Sequence, residues 1–136
     1  MARAASAACP CGREAKPGQP LKLADCCGPY LDHFENKPAP DAPSLMRSRY
    51  SAFVLERADY LLATWHPGTR PTSLDFDPGV RWLGLEVRAH VSTGPAAAEV
   101  EFVARMRAAG KAVRLHERSH FVHEGGRWFY VDGDQL

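Results

Sequence analysis

The spacing of hydrophobic residues changes once along this chain, near residue 80. Before that point Met46, Tyr50, Phe53 and Val54 recur at three- and four-residue steps, the period of one helix face. Asp41 can cap this helix, and Pro43 is tolerated in its first turn. Asp59 reads as the cap of a second short helix over 60–65, stopped by His66, Pro67 and Gly68. Residues 69–78 read as a loop with one helical turn. Beyond Val80 the period drops to two. Leu83, Leu85, Val87, Ala89 and Val91 alternate with other residues, as along a strand with one covered face. Residues 92–95 (STGP) make a turn, and 99–105 form a second strand, although the alanines there leave a helix open. After a turn at 109–111 come a third strand over 113–123, a hairpin turn at 124–126 and a last strand over 127–132. Helices followed by an antiparallel meander predict an α+β domain, with helices packed on a curved sheet.

The N-terminal third follows neither period. Seven of the eleven prolines lie at or before Pro43, and residues 9–30 hold few apolar side chains. A segment this short cannot bury a core of its own and needs a staple. The chain therefore divides into a small module over 1–30 with a loose tail at 1–8, a stiff linker over 31–41, and the α+β domain over 42–136. All four cysteines, Cys9, Cys11, Cys26 and Cys27, fall inside the small module. A disulfide scaffold would spread them along the chain; clustered thiols more often hold a metal. The spacing C-x-C then C-C suits a closed tetrahedral zinc site, whose binding energy would supply the folding energy the module lacks. Gly12 would let backbone amides turn toward the sulfurs. Disulfides or free thiols are the competing reading.

The net charge of +1 argues against a surface that tracks phosphates. No apolar run reaches membrane-spanning length, and the first residues lack the form of a secretory signal, so the expected location is the cytoplasm. Two clusters of polar residues in the domain are candidates for pocket chemistry: Arg47, Arg49, Tyr50, Trp65 and His66 on the helices, and His116, Glu117, Arg118, His120 and His123 on the third strand. A histidine for proton transfer beside an arginine for an anionic group would serve a lyase or isomerase. The simpler reading pairs Arg118 or Arg105 with Glu86, Glu99 and Glu101 across the sheet. Along a strand His116, Arg118 and His120 share one face, and Glu117, Ser119 and Phe121 the other. His120 and His123 fall on opposite faces and make no second metal site. No phosphate loop, nucleophile elbow or paired-carboxylate signature is present.

CPCG at 9–12 followed by CCG at 26–28 resembles the SEC-C motif, the zinc knuckle of the SecA translocation ATPase. The chain departs from it at Arg13, where serine is usual, and in a longer loop around Pro17 and Pro20. LMRSRYSAF at 45–53, DYLLATWH at 59–66, VEFVA at 100–104, HERS at 116–119 and WFYVDG at 128–133 together resemble the YchJ-like family of bacterial proteins. That resemblance implies an N-terminal SEC-C knuckle and a domain similar to nuclear transport factor two, whose curved sheet wraps helices and leaves a cone-shaped pocket. It implies no activity. The expectations are a binding module with structural zinc that docks a protein partner through the knuckle and admits a small molecule in the cone, with a homodimer through the outer sheet face. A small-molecule enzyme is the alternative.

Overall fold

A computed structural model describes residues 7–136, so most of the expected tail lies outside the described residues. The module begins with a two-stranded ribbon, β1 (Glu14–Lys16) and β2 (Gln19–Pro20), followed by a 3-10 turn at Leu23–Asp25 and the helix α1 (Gly28–Asp32). Two more helices follow, α2 (Ala42–Val54) and α3 (Ala58–Ala63). Four long strands complete the chain: β3 (Val80–Gly94), β4 (Ala97–Ala108), β5 (Lys111–Glu124) and β6 (Arg127–Gln135). They pair antiparallel in chain order, β3-β4-β5-β6. This is the expected α+β arrangement of helices on a curved antiparallel sheet.

α2 starts where its cap predicts: Asp41 Oδ1 accepts a 2.7 Å hydrogen bond from the Ser44 amide. Nine of its thirteen residues are buried, far more than one face. The excess arises because α2 is covered on two sides, by the sheet and by the cysteine module. α3 begins two residues earlier than expected and has no side-chain cap. Asp59 instead binds Arg57, at 3.1 and 3.2 Å. No helical turn forms between α3 and β3.

β4 resolves the helix-or-strand ambiguity through its neighbours. It is hydrogen-bonded to β3 on one edge and β5 on the other, and its Ala98 and Ala104 pack inward with 2% and 1% exposure. Pairing on both edges outweighs the weak helix preference of alanine. β3 departs from strict alternation. Its register slips between Trp82 and Gly84, between Val87 and Ala89, and between Ser92 and Gly94. Each slip inserts an extra residue, which bends the strand and swaps its faces. Trp82 and Leu85, three apart, therefore both pack on the core, while Leu83 and Val91 are exposed. At the β5–β6 turn Gly125 and Gly126 take φ of +58° and +81°, the left-handed pair that a tight hairpin requires.

One hydrophobic core joins both parts of the chain. Cys9, Cys11, Cys27, Leu23 and Leu31 bury in the same cluster as Leu45, Tyr50, Leu61, Val100 and Phe121. At its centre the fully buried Tyr60 hydroxyl meets Ser48 Oγ at 2.7 Å.

Candidate metal centre and cone cavity

The ribbon and the 3-10 turn bring the two cysteine pairs together. The Cys9 amide donates to the Leu21 carbonyl, which lays the first pair against the segment leading to the second. Gly28 has to be glycine: a Cβ there would sit 2.7 Å from the Leu23 carbonyl oxygen. The four Sγ atoms all lie within 4.8 Å of one another. Cys11 and Cys26 stand 3.6 Å apart, and Cys26 and Cys27 4.0 Å. No disulfide joins the four cysteines in this structure. Cys9, Cys11 and Cys27 are buried and Cys26 is half-buried.

Four thiols this close cannot ionise independently. Hydrogen bonds from neighbouring thiols, Cys11 first, pull Cys9 down, and those from Cys26 and Cys27 bring Cys11 to about 7. Cys26 and Cys27 are pushed up, chiefly by donating to Cys11. Without a cation the cluster favours thiolate at one pair and thiol at the other. A bound divalent ion reverses that preference by stabilising all four as thiolates.

α2 completes the centre. Its Ser51 Oγ lies 3.5 Å from Cys9 Sγ, and Arg47 Nη1 donates to the Cys11 carbonyl at 3.2 Å. Residues 47 and 51 are one helical turn apart and share a face. The Gly12 amide goes to the Cys9 carbonyl at 3.1 Å, not to a sulfur as expected, so the hydroxyl of Ser51 fills that role.

The opposite side of α2 faces the sheet and encloses a cavity of about 160 Å³. Met46, Arg49, Tyr50 and Phe53 line it from α2, Trp65 from the end of α3, and Trp82, Phe102, Leu115, Glu117 and Tyr130 from the strands. Tyr50 meets Trp82 edge to face at 5.6 Å. Arg49 is the buried cation of this wall, with 4% exposure. Its Nη1 donates to the Leu61 carbonyl at 2.8 Å and to Thr64 Oγ1 at 2.7 Å. Its guanidinium carbon lies 5.1 Å from the Trp65 ring centre and 4.6 Å from that of Tyr130. Burial pushes the Arg49 guanidinium down to about 10, so it stays charged at neutral pH. Burial, with Glu117 second, pushes Tyr130 up to about 12. Glu117 accepts from Ser119 Oγ at 2.6 Å and from Gln135 Nε2 at 3.1 Å.

Of the residues in the two polar clusters read from sequence, Arg49, Tyr50, Trp65 and Glu117 line this cavity. Arg47 faces the cysteines, and Arg49, two residues on, takes the inward position. His66 lies outside the cavity; its Nδ1 accepts from the Gly68 amide at 3.0 Å, which leaves Nε2–H to bond Glu124 at 2.9 Å. His116 and Arg118 stand on the outer face of the sheet. There His116 pairs with Glu101 at 2.7 Å and His120 with Glu99 at 3.2 Å, so histidines take the cross-strand places expected for Arg118 or Arg105. The His116 contact holds the Glu101 carboxyl below its usual range. Glu117 and Ser119 take the inner face instead. Strand alternation placed them there, but only the tertiary fold shows which face closes on the cavity.

The family described as the YchJ middle NTF2-like domain matches residues 41–133. A UPF0225 protein of Polaromonas sp. (strain JS666) is 69% identical over 129 residues, covering 94% of this chain and 93% of its own. A UPF0225 protein of Chromobacterium violaceum is 54% identical over 134 residues, covering 95% and 93%. The crystal structure of a SEC-C motif containing protein from Psychrobacter arcticus superposes with a TM-score of 0.80 at 33% identity, over 94% of this chain and 82% of that one. The solution structure of a SEC-C motif containing protein from Rhodopseudomonas palustris gives 0.74 at 34% identity, over 88% and 95%. No helix among the described residues is long and apolar enough to cross a membrane. With its cysteine knuckle followed by a cone of sheet and helices, the chain belongs to the YchJ-like UPF0225 family, whose middle domain is NTF2-like.

Proposed function

We propose that this protein is a zinc-stapled binding module, in which Cys9, Cys11, Cys26 and Cys27 hold one structural zinc and the cone behind them holds a small molecule. The sulfur geometry carries the reading. Zinc–sulfur bonds of about 2.3 Å in a tetrahedron put sulfurs about 3.8 Å apart. The 3.6 and 4.0 Å separations bracket that value. Four cysteines use every position of the shell, so the ion would hold structure and leave no site for water or substrate. Ser51 and Arg47 tie the loaded knuckle to α2, which backs the cavity. The ribbon β1–β2, exposed along its length, is the surface left for a protein partner.

The enzyme alternative rested on His66, His116 and Arg118, none of which lines the cavity. The walls support holding a molecule better than proton transfer by histidine. The test is elemental analysis of untagged protein purified without added metal. About one zinc per chain, lost in Cys26→Ser, is the expected result. Folded protein with no metal and four titratable thiols would overturn the zinc assignment.

A further inference from the structure

Buried arginines normally come with a carboxylate, because burying an unpaired charge is costly. Arg49 does not follow that rule. Among the described residues no carboxylate lies within ion-pair distance of it, and its partners are a carbonyl, a hydroxyl and two ring faces. Both of its hydrogen bonds leave from Nη1. Among the described residues Nε and Nη2 have no hydrogen-bond partner, and neither is sealed from solvent; Arg49 lines the cavity, and this edge of its guanidinium is the one left to face it. That edge is the flat fork which binds a carboxylate through two parallel hydrogen bonds. Glu117 lines the same cavity and acts on Arg49 through space, but it stands beyond ion-pair distance and takes its hydrogen bonds from Ser119 and Gln135, so it leaves the fork uncovered.

The rest of the wall selects the body of the ligand. Met46, Phe53, Trp82, Phe102 and Leu115 are apolar. The volume of about 160 Å³ is close to the roughly 150 Å³ cavity that takes one benzene. A bare inorganic anion would leave those apolar walls unfilled. A long-chain acid would not fit.

We propose that the cone binds a small organic carboxylate with an aromatic or branched apolar body of benzene size, the carboxylate on Nε and Nη2 of Arg49 and the body against Phe53, Trp82, Phe102 and Leu115. This rests on the binding-module reading and names the ligand class for its cavity. The match is one of charge as well as shape. The ligand brings a carboxylate into direct contact with Arg49, which Glu117 reaches only through space, in a site where burial strengthens the pair.

The experiment titrates the full-length protein as purified with benzoate, followed by amide chemical shifts and by the fluorescence of the wall residues Trp65 and Trp82. Benzyl alcohol, benzylamine and inorganic phosphate are titrated in parallel. Saturable benzoate binding, at least tenfold tighter than benzyl alcohol and absent for benzylamine and phosphate, is expected. Ala104→Leu fills the cavity from β4 and keeps Arg49, so it should abolish benzoate binding while the amide spectrum stays dispersed. Arg49→Lys keeps the charge without the fork and should weaken benzoate at least tenfold. No saturation by about 20 mM benzoate, where a millimolar site would be full, overturns the proposal. Equal affinity for benzyl alcohol overturns the carboxylate class while leaving the cone a small-molecule site. Phosphate competing as well as benzoate overturns the need for an apolar body. Each of these readouts is independent of the zinc content, so the two proposals fail separately.

Discussion

Replacing Cys26 by serine tests whether the cysteine module and the domain stand as one unit. Cys26 is the half-buried member of the four, and serine is nearly its size, so the change removes one sulfur of the proposed metal site and leaves packing almost intact. Losing the metal should free the knuckle from α2. Leu23, 7% exposed in the shared core, would return to water at a cost of about 2 kcal/mol. The Ser51–Cys9 and Arg47–Cys11 contacts would go as well, at about 1 kcal/mol each. The sum is about 4 kcal/mol. A chain of 136 residues unfolds with an entropy of about 0.29 kcal/mol/K, so the midpoint should fall by about 14 °C. Calorimetry of wild type and Cys26→Ser, each purified without added metal, measures this directly. Hydrogen exchange should show protection lost over residues 7–31 and at the 47–51 face of α2, with β4 and β5 still protected. A midpoint within about 2 °C of wild type would mean that the knuckle hangs on the domain without stabilising it, and the reasoning would be wrong.

Other consequences are open to measurement. Gly28→Ala should destabilise by about 1–3 kcal/mol in denaturant titrations, because the added Cβ meets the backbone oxygen of Leu23; helix preference alone predicts a small gain. Tyr60→Phe should cost about 1 kcal/mol at neutral pH, with Ser48 still bonded to the Leu45 carbonyl. Burial raises Tyr60 and Tyr130 to about 12, above their unfolded value. Their contribution is therefore complete below about pH 10 and is lost as the pH rises toward 12, so wild type should weaken over that range and Tyr60→Phe should weaken less. Asp59 is held below its usual range first by its hydrogen bond to Arg57. Its contribution is present at neutral pH and lost as the pH falls through the lowered value. Asp59→Asn should therefore cost about 0.5 kcal/mol or less at pH 7 and nothing in strong acid, since the pair is exposed. Equal costs at both pH values would show that the charge is irrelevant there.

What the sequence determined by itself was local or strictly periodic. Four thiols in nineteen residues, with too little apolar area to fold otherwise, pointed to a cluster that the structure draws within 4.8 Å. Asp41 and Pro43 set the start of α2, and alternation sorted β5 into an inner set, Glu117, Ser119 and Phe121, and an outer set, His116, Arg118 and His120. What only the tertiary structure decided depended on neighbours distant in sequence. Arg47 and Arg49 are chemically alike on one helix, and which of them faces the cavity followed from where the knuckle and the sheet cover α2. Leu83 turned outward because β4 offers one fewer residue at that bulge, a count fixed by pairing and invisible in β3 alone. The candidate histidines fell outside the cavity for the same reason. Local rules put side chains on one face or the other, but the closing of helices over one face of the sheet decides which face becomes an interior.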